Sequence, residues 1–173
     1  MTIKCDPAQI EWLKTIFDQM NTLDEHELNP VLKTMVPRPS EEDENWYAWN
    51  SSNWGTKWDV KDCTVSWEDN KIEINAWTAW GPPIKAIETF EENNQSHGVS
   101  VRCVYDEGGM SIYGVYEDGY NNEAELPETS CDPAWEDYPN NLFKWRREQM
   151  EDEEEEERLE QEQAEQEQTT ESN

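Results

Sequence analysis

Two stretches of this chain alternate apolar and polar residues on either side of a turn, and a helical pattern separates them. In "CTVSWEDNKIEINAWTAW" (63–80), Val65 and Trp67 alternate with polar residues and Asp69-Asn70 supplies turn chemistry. Ile72, Ile74, Ala76, Thr78 and Trp80 are then expected to share one face of the returning strand. The second stretch, "VSVRCVYD" (99–106), alternates Val99, Val101, Cys103 and Tyr105; it turns at Glu107-Gly108-Gly109 and returns as "MSIYGVYED". Between them, Gly81-Pro82-Pro83 ends a strand and opens a helix whose buried side carries Ile84, Ile87 and Phe90. An antiparallel sheet with helices on one face suits two hairpins joined by a helix. That is the α+β two-layer plan.

The remaining elements follow from local chemistry. Asp6-Pro7 reads as a helix start, and Ile10, Leu13, Ile16, Phe17 and Met20 form one apolar stripe behind it. The polar run from Asn21 to Pro30 ends that helix. Val31 to Val36, closed by Pro37-Arg38-Pro39, reads as a short edge strand. Trp46 and Trp49 have the spacing of a turn or two of helix, interrupted by Gly55. The folded part is expected to span 1–120, followed by a proline- and acid-rich connector (121–141) and an acidic C-terminal segment (142–173). Leu142, Phe143, Trp145 and Met150 predict a helix that frays into disorder, because the acids beyond it stand at like-charged i,i+4 spacing.

Charge narrows the partners. The net charge is −28; Glu148–Asn173 holds thirteen acids against Arg158, a net −12, which leaves −16 on residues 1–147. Such a surface repels nucleic-acid backbones and anionic membranes, so neither is an expected direct partner, whereas a basic or DNA-binding protein is. The first residues, "MTIKCDPAQIEW", lack the apolar stretch of a secretory leader, and the four scattered cysteines fit a reduced cytosolic chain. His26 and His97 have no second ligand at metal spacing, and no phosphate loop, nucleophile elbow or dinucleotide fingerprint is present. No catalytic set, metal or cofactor is therefore assigned.

At the level of motifs, "WYAWNSSNWGTKWD", the strand end "TAWGPPI" and "YDEGGMSIYGVYEDG" resemble the YubB-like ferredoxin-like family. The resemblance covers roughly residues 1–120 and is most specific in "NWGTKWD" and the tryptophan-proline string. It implies a ferredoxin-like sandwich, without any iron–sulfur cluster, and an origin on a bacteriophage or plasmid in a bacterial cell. It brings no reaction and no catalytic residues. The acidic extension lies outside the family pattern.

Seven of the ten tryptophans fall between Trp46 and Trp80. Burying one removes about 150–250 Å² from water, on the order of 4–6 kcal/mol at about 25 cal/mol/Å², so most are expected to serve as core. The polar residues set among them fit a wall with fixed donors and acceptors. Trp49, Asn50, Asn53, Trp54, Lys57, Asp59 and Trp80 are the candidate binding residues, with Lys57 either stacked on tryptophan or paired with Asp59. The leading expectation is a non-enzymatic binding protein of a phage or mobile element, acting on a host protein in the bacterial cytoplasm. Two other readings stay open. One is an acidic DNA mimic that blocks a DNA-binding enzyme; the other is a small-molecule (nucleotide) binder using the tryptophan cleft.

Overall fold

Strand β1 (Thr2–Lys4) is only three residues long, yet it lies at the middle of a six-stranded antiparallel sheet. The computed structural model describes residues 1–17, 30–137 and 144–171. Its sheet also contains β2 (Lys61–Glu68), β3 (Lys71–Trp77), β4 (Ser100–Glu107), β5 (Ile112–Glu117) and β6 (Tyr120–Glu125), in the spatial order β2-β3-β1-β4-β5-β6. The helices are α1 (Ile10–Phe17), α2 (Val31–Met35), α3 (Trp46–Asn53), α4 (Ile84–Asn93) and α5 (Lys144–Glu171). The α+β class and both hairpins expected from periodicity are present. Residues Met1–Glu125 form one compact unit and Leu126–Asn173 a second.

Register explains the core. Ile3 is paired with Ile72 on one side and Val101 on the other, and Ile72 is paired in turn with Trp67. Directly opposed residues share a face, so these side chains form one row across four strands. Ile74 opposite Val65, and Cys103 opposite Tyr116, extend the same surface. Leu13 and Phe17 of α1, Val31, Leu32 and Met35 of α2, and Ala86, Ile87 and Phe90 of α4 join it in one buried cluster. Phe17 and Phe90 meet edge to face at 6.0 Å. The intervening residues are polar: Lys71 bridges Glu68 (2.8 Å) and Glu73 (2.7 Å), and Arg102 meets Glu117.

Three expectations need correction. Val31–Met35 is helical rather than an edge strand, because its first turn is capped by the Asp59 carboxylate, a partner 27 residues away that local propensity does not reveal. The apolar alternation of β3 ends at Ile74: Ala76 is exposed, and beyond the strand Ala79, not Thr78 or Trp80, is the buried residue. At residue 120, where the folded part was expected to end, β6 begins and adds a sixth strand. Its residues are all exposed, so it carries no apolar signal. It pairs antiparallel with β5, and Tyr105 adds a tether, its hydroxyl donating to Asn121 (2.9 Å) or Glu123 (3.0 Å). Tyr105, Gly114 and Glu123 stand in one row, and a Cβ on Gly114 would overlap the Tyr105 hydroxyl. Met20, residues 21–29, Leu142 and Phe143 lie outside the described residues.

In the second unit, the Ser130 amide (3.0 Å) and hydroxyl (2.6 Å) both donate to the Glu154 carboxylate, holding that acid below the usual glutamate range. Helix α5 runs from Lys144 through Glu171, within the segment expected to begin as an acidic helix. Arg147–Glu151 and Arg158–Glu162 at i,i+4 offset part of the repulsion among its acids.

Two outcomes follow from the sheet. Gly114→Ala should displace the Tyr105 ring and lower stability by about 1–3 kcal/mol, with faster amide exchange across 120–125; unchanged exchange there would remove Tyr105 as the tether. The second concerns alkaline pH. Burial, reinforced by a 2.5 Å hydrogen bond to Glu91, pushes the Tyr116 phenol far up, and burial pushes Tyr105 up to about 12. Unfolded tyrosines ionise near pH 10. The folded state thus keeps protons that the unfolded chain loses, and this stabilisation is full below about pH 10 and declines above it. The urea midpoint should fall between about pH 10 and 12, and Tyr116→Phe should flatten that fall.

Candidate binding surface

Helix α3 ends because the chain turns left-handed at Gly55 (φ +84°). Asn53 closes the last turn by donating to the Trp49 carbonyl (2.9 Å). Asn50 is buried with both ends of its amide used: Arg38 donates to its oxygen (3.0 Å), and its nitrogen donates to the Lys57 carbonyl (2.8 Å). Trp54 is buried too, meets Trp49 edge to face at 5.7 Å, and donates its indole N–H to the Val36 carbonyl (2.8 Å).

The next residues are pinned at two points. The buried Thr56 hydroxyl donates to the Ala79 carbonyl (2.7 Å) and accepts from the Ala79 amide (3.1 Å). The buried Asp59 carboxylate accepts from the amides of Leu32 (2.8 Å), Lys33 (2.9 Å) and Val60 (2.9 Å), joining the start of α2 to the approach to β2. Burial raises the Asp59 carboxyl above the ordinary aspartate range, outweighing the lowering by these amides and that of Val31. Asp59 therefore acts through backbone amides. Lys57, between the two pins, points its ammonium at aromatic rings: Trp58 at 4.6 Å, Trp80 at 5.0 Å and Tyr47 at 5.8 Å from the ring centroids.

The site residues expected from sequence thus divide. Trp49, Asn50, Asn53, Trp54 and Asp59 are engaged in holding the segment together. Lys57 and Trp80 belong to an outward aromatic face. That face also includes Tyr47 (48% exposed), Trp58, and Trp46 (39% exposed), which meets Tyr47 edge to face. Lys61 lies 5.3 Å over Trp58, and its register partner on β3 is Trp77, 73% exposed. Tyr47, Trp58 and Trp77 were not among the candidate binding residues read from sequence. The only local signal was Trp58 beside Lys57; the exposure of Trp77 has none.

Trp80 is the most informative member. It is 61% exposed, yet it holds φ at +64°, a region disfavoured for a non-glycine residue by roughly 1–2 kcal/mol. The flanking clamps keep it there: Thr56 on Ala79, and the Thr78 hydroxyl on the Gly81 carbonyl (2.8 Å). The sheet core gains little from a strained tryptophan facing solvent, and such outliers concentrate at functional positions.

Among the described residues no group of histidine, cysteine, aspartate or glutamate side chains converges to hold a metal ion, and no helix is long and apolar enough to cross a membrane. All four cysteines are free thiols. No protein-family model, curated protein or solved structure matches the chain.

Pins and face should respond differently to mutation. Asp59→Asn replaces one acceptor oxygen by a donor and leaves an amide unpaired, so it should lower stability by about 1–3 kcal/mol. Trp80→Ala should leave the urea midpoint unchanged or raise it. A large loss of stability in Trp80→Ala would show that this ring is a structural support rather than a free surface.

Proposed function

We propose that the protein is a non-enzymatic binding protein of a phage or related mobile element, which engages a host protein in the bacterial cytoplasm through the aromatic face around Lys57. The observation that carries this reading is the strained, outward-facing Trp80 grouped with Tyr47 and Trp58. Tryptophan and tyrosine are the side chains that most often dominate binding energy at interfaces, because they bury much area with few rotatable bonds. A chain of net charge −28 draws basic partners and raises their encounter rate.

The ferredoxin-like reading draws support from topology. The first four strands lie in the order β2-β3-β1-β4. Helices α1 to α3 come between β1 and β2 in the chain, and α4 between β3 and β4, a β-α-β-β-α-β sequence. β5 and β6 continue the sheet beyond β4.

The test is a footprint. A host protein retained by the immobilised chain should slow amide exchange at 46–58 and 77–81, and Trp77→Ala or Trp80→Ala should weaken its binding at least about tenfold while leaving the melting curve unchanged. Binding should also weaken as ionic strength rises, since exposed charges are screened over roughly 8–10 Å. Protection confined to α5, or full binding by both tryptophan variants, would overturn the assignment of this face.

A further inference from the structure

Three ring faces around one ammonium group make a cage of the kind that recognises alkylammonium ligands. In this structure the cage is filled from within, by Lys57. We infer that Tyr47, Trp58 and Trp80 form a cation site that Lys57 occupies as a placeholder, and that a lysine side chain of a basic partner replaces it on docking. This rests on the proposal that the aromatic face is the docking surface.

Several observations support an exchange rather than a permanent contact. The backbone of Lys57 is fixed independently of its ammonium group, through its carbonyl held by Asn50 and through the pins at Thr56 and Asp59. Only the flexible side chain has to move. Tyr47 and Trp80 are about half exposed or more, so an incoming side chain can reach the rings without opening the core. The field of the protein selects the sign of the ligand: with 41 acids against 13 bases, cations concentrate at its surface. A cation leaving the cage as another enters keeps one positive charge against the ring quadrupoles. The placeholder also sets a threshold. A partner's lysine must compete with a tethered one, so weak, isolated cations are excluded and only a partner with further contacts succeeds.

The sign of one substitution separates this idea from the simpler view in which Lys57 itself touches the partner. Choline is a suitable probe of the cage, because its quaternary ammonium cannot donate an N–H hydrogen bond; 3,3-dimethyl-1-butanol is its neutral isostere. Tryptophan fluorescence at constant ionic strength should show choline binding Lys57→Ala at least about tenfold more tightly than the parent chain, as removing an internal competitor requires. Lys57→Gln, which keeps a longer stem, should show a gain of the same sign. The neutral alcohol should not saturate either variant, and adding Trp80→Ala to Lys57→Ala should abolish choline binding. Choline binding no more tightly to both lysine variants than to the parent overturns the inference, and so does equal binding of the neutral isostere. With a captured host protein, Lys57→Ala should bind as tightly as the parent or more tightly. Weaker binding would make Lys57 the contact and sink the exchange while leaving the aromatic face in place. Full binding by both Trp77→Ala and Trp80→Ala would instead remove the face itself.

Discussion

The sheet depends on three residues. Among the described residues, strand β1 (Thr2, Ile3 and Lys4) lies between the β2-β3 hairpin and the β4-β5-β6 meander and pairs with both. A strand this short makes few ladder bonds, so its place is secured by burial: Ile3 is fully enclosed between Ile72 and Val101 and beneath the helices. The two halves then have a single shared core, which is why Met1–Glu125 behaves as one unit.

Buried polar groups organise the tryptophan-rich segment. Asn50, Thr56 and Asp59 are almost completely buried, and each has its hydrogen-bonding groups taken up by backbone atoms from other parts of the chain or by Arg38. An unpaired polar group in such a place is destabilising by about 1–3 kcal/mol, so each contact specifies one arrangement of the loop. The same pins that turn Trp54 inward leave Lys57 and Trp58 partly buried and Trp80 exposed. Core and surface are therefore one construction: the rings cluster because the polar groups between them are fixed.

Some of this was legible from the residues. Both hairpins, α1, α3 and α4 followed from spacing and turn chemistry, since they are local amphipathic patterns. α2 was misread because Val31–Met35 takes its helical cap from Asp59, far along the chain. β6 was invisible because an edge strand paired on one side and exposed on both faces needs no apolar alternation. In the tryptophan segment, spacing did not reveal which side chains turn inward: Asn50 and Asp59 are buried and hydrogen-bonded to backbone, whereas Trp80 is exposed.

The sequence by itself determined both hairpins, three of the helices, the α+β class and the concentration of negative charge, because periodicity, turn residues and net charge are properties of neighbouring positions. Only the tertiary structure decided which tryptophans face inward. Trp54 and Trp80 have the same side chain in similar surroundings of glycine and threonine. One finds the Val36 carbonyl and a place in the core; the other is held outward by a clamp on the residue beside it. Burial is set by what the remainder of the chain brings to a position, and that information lies at separations no local pattern spans.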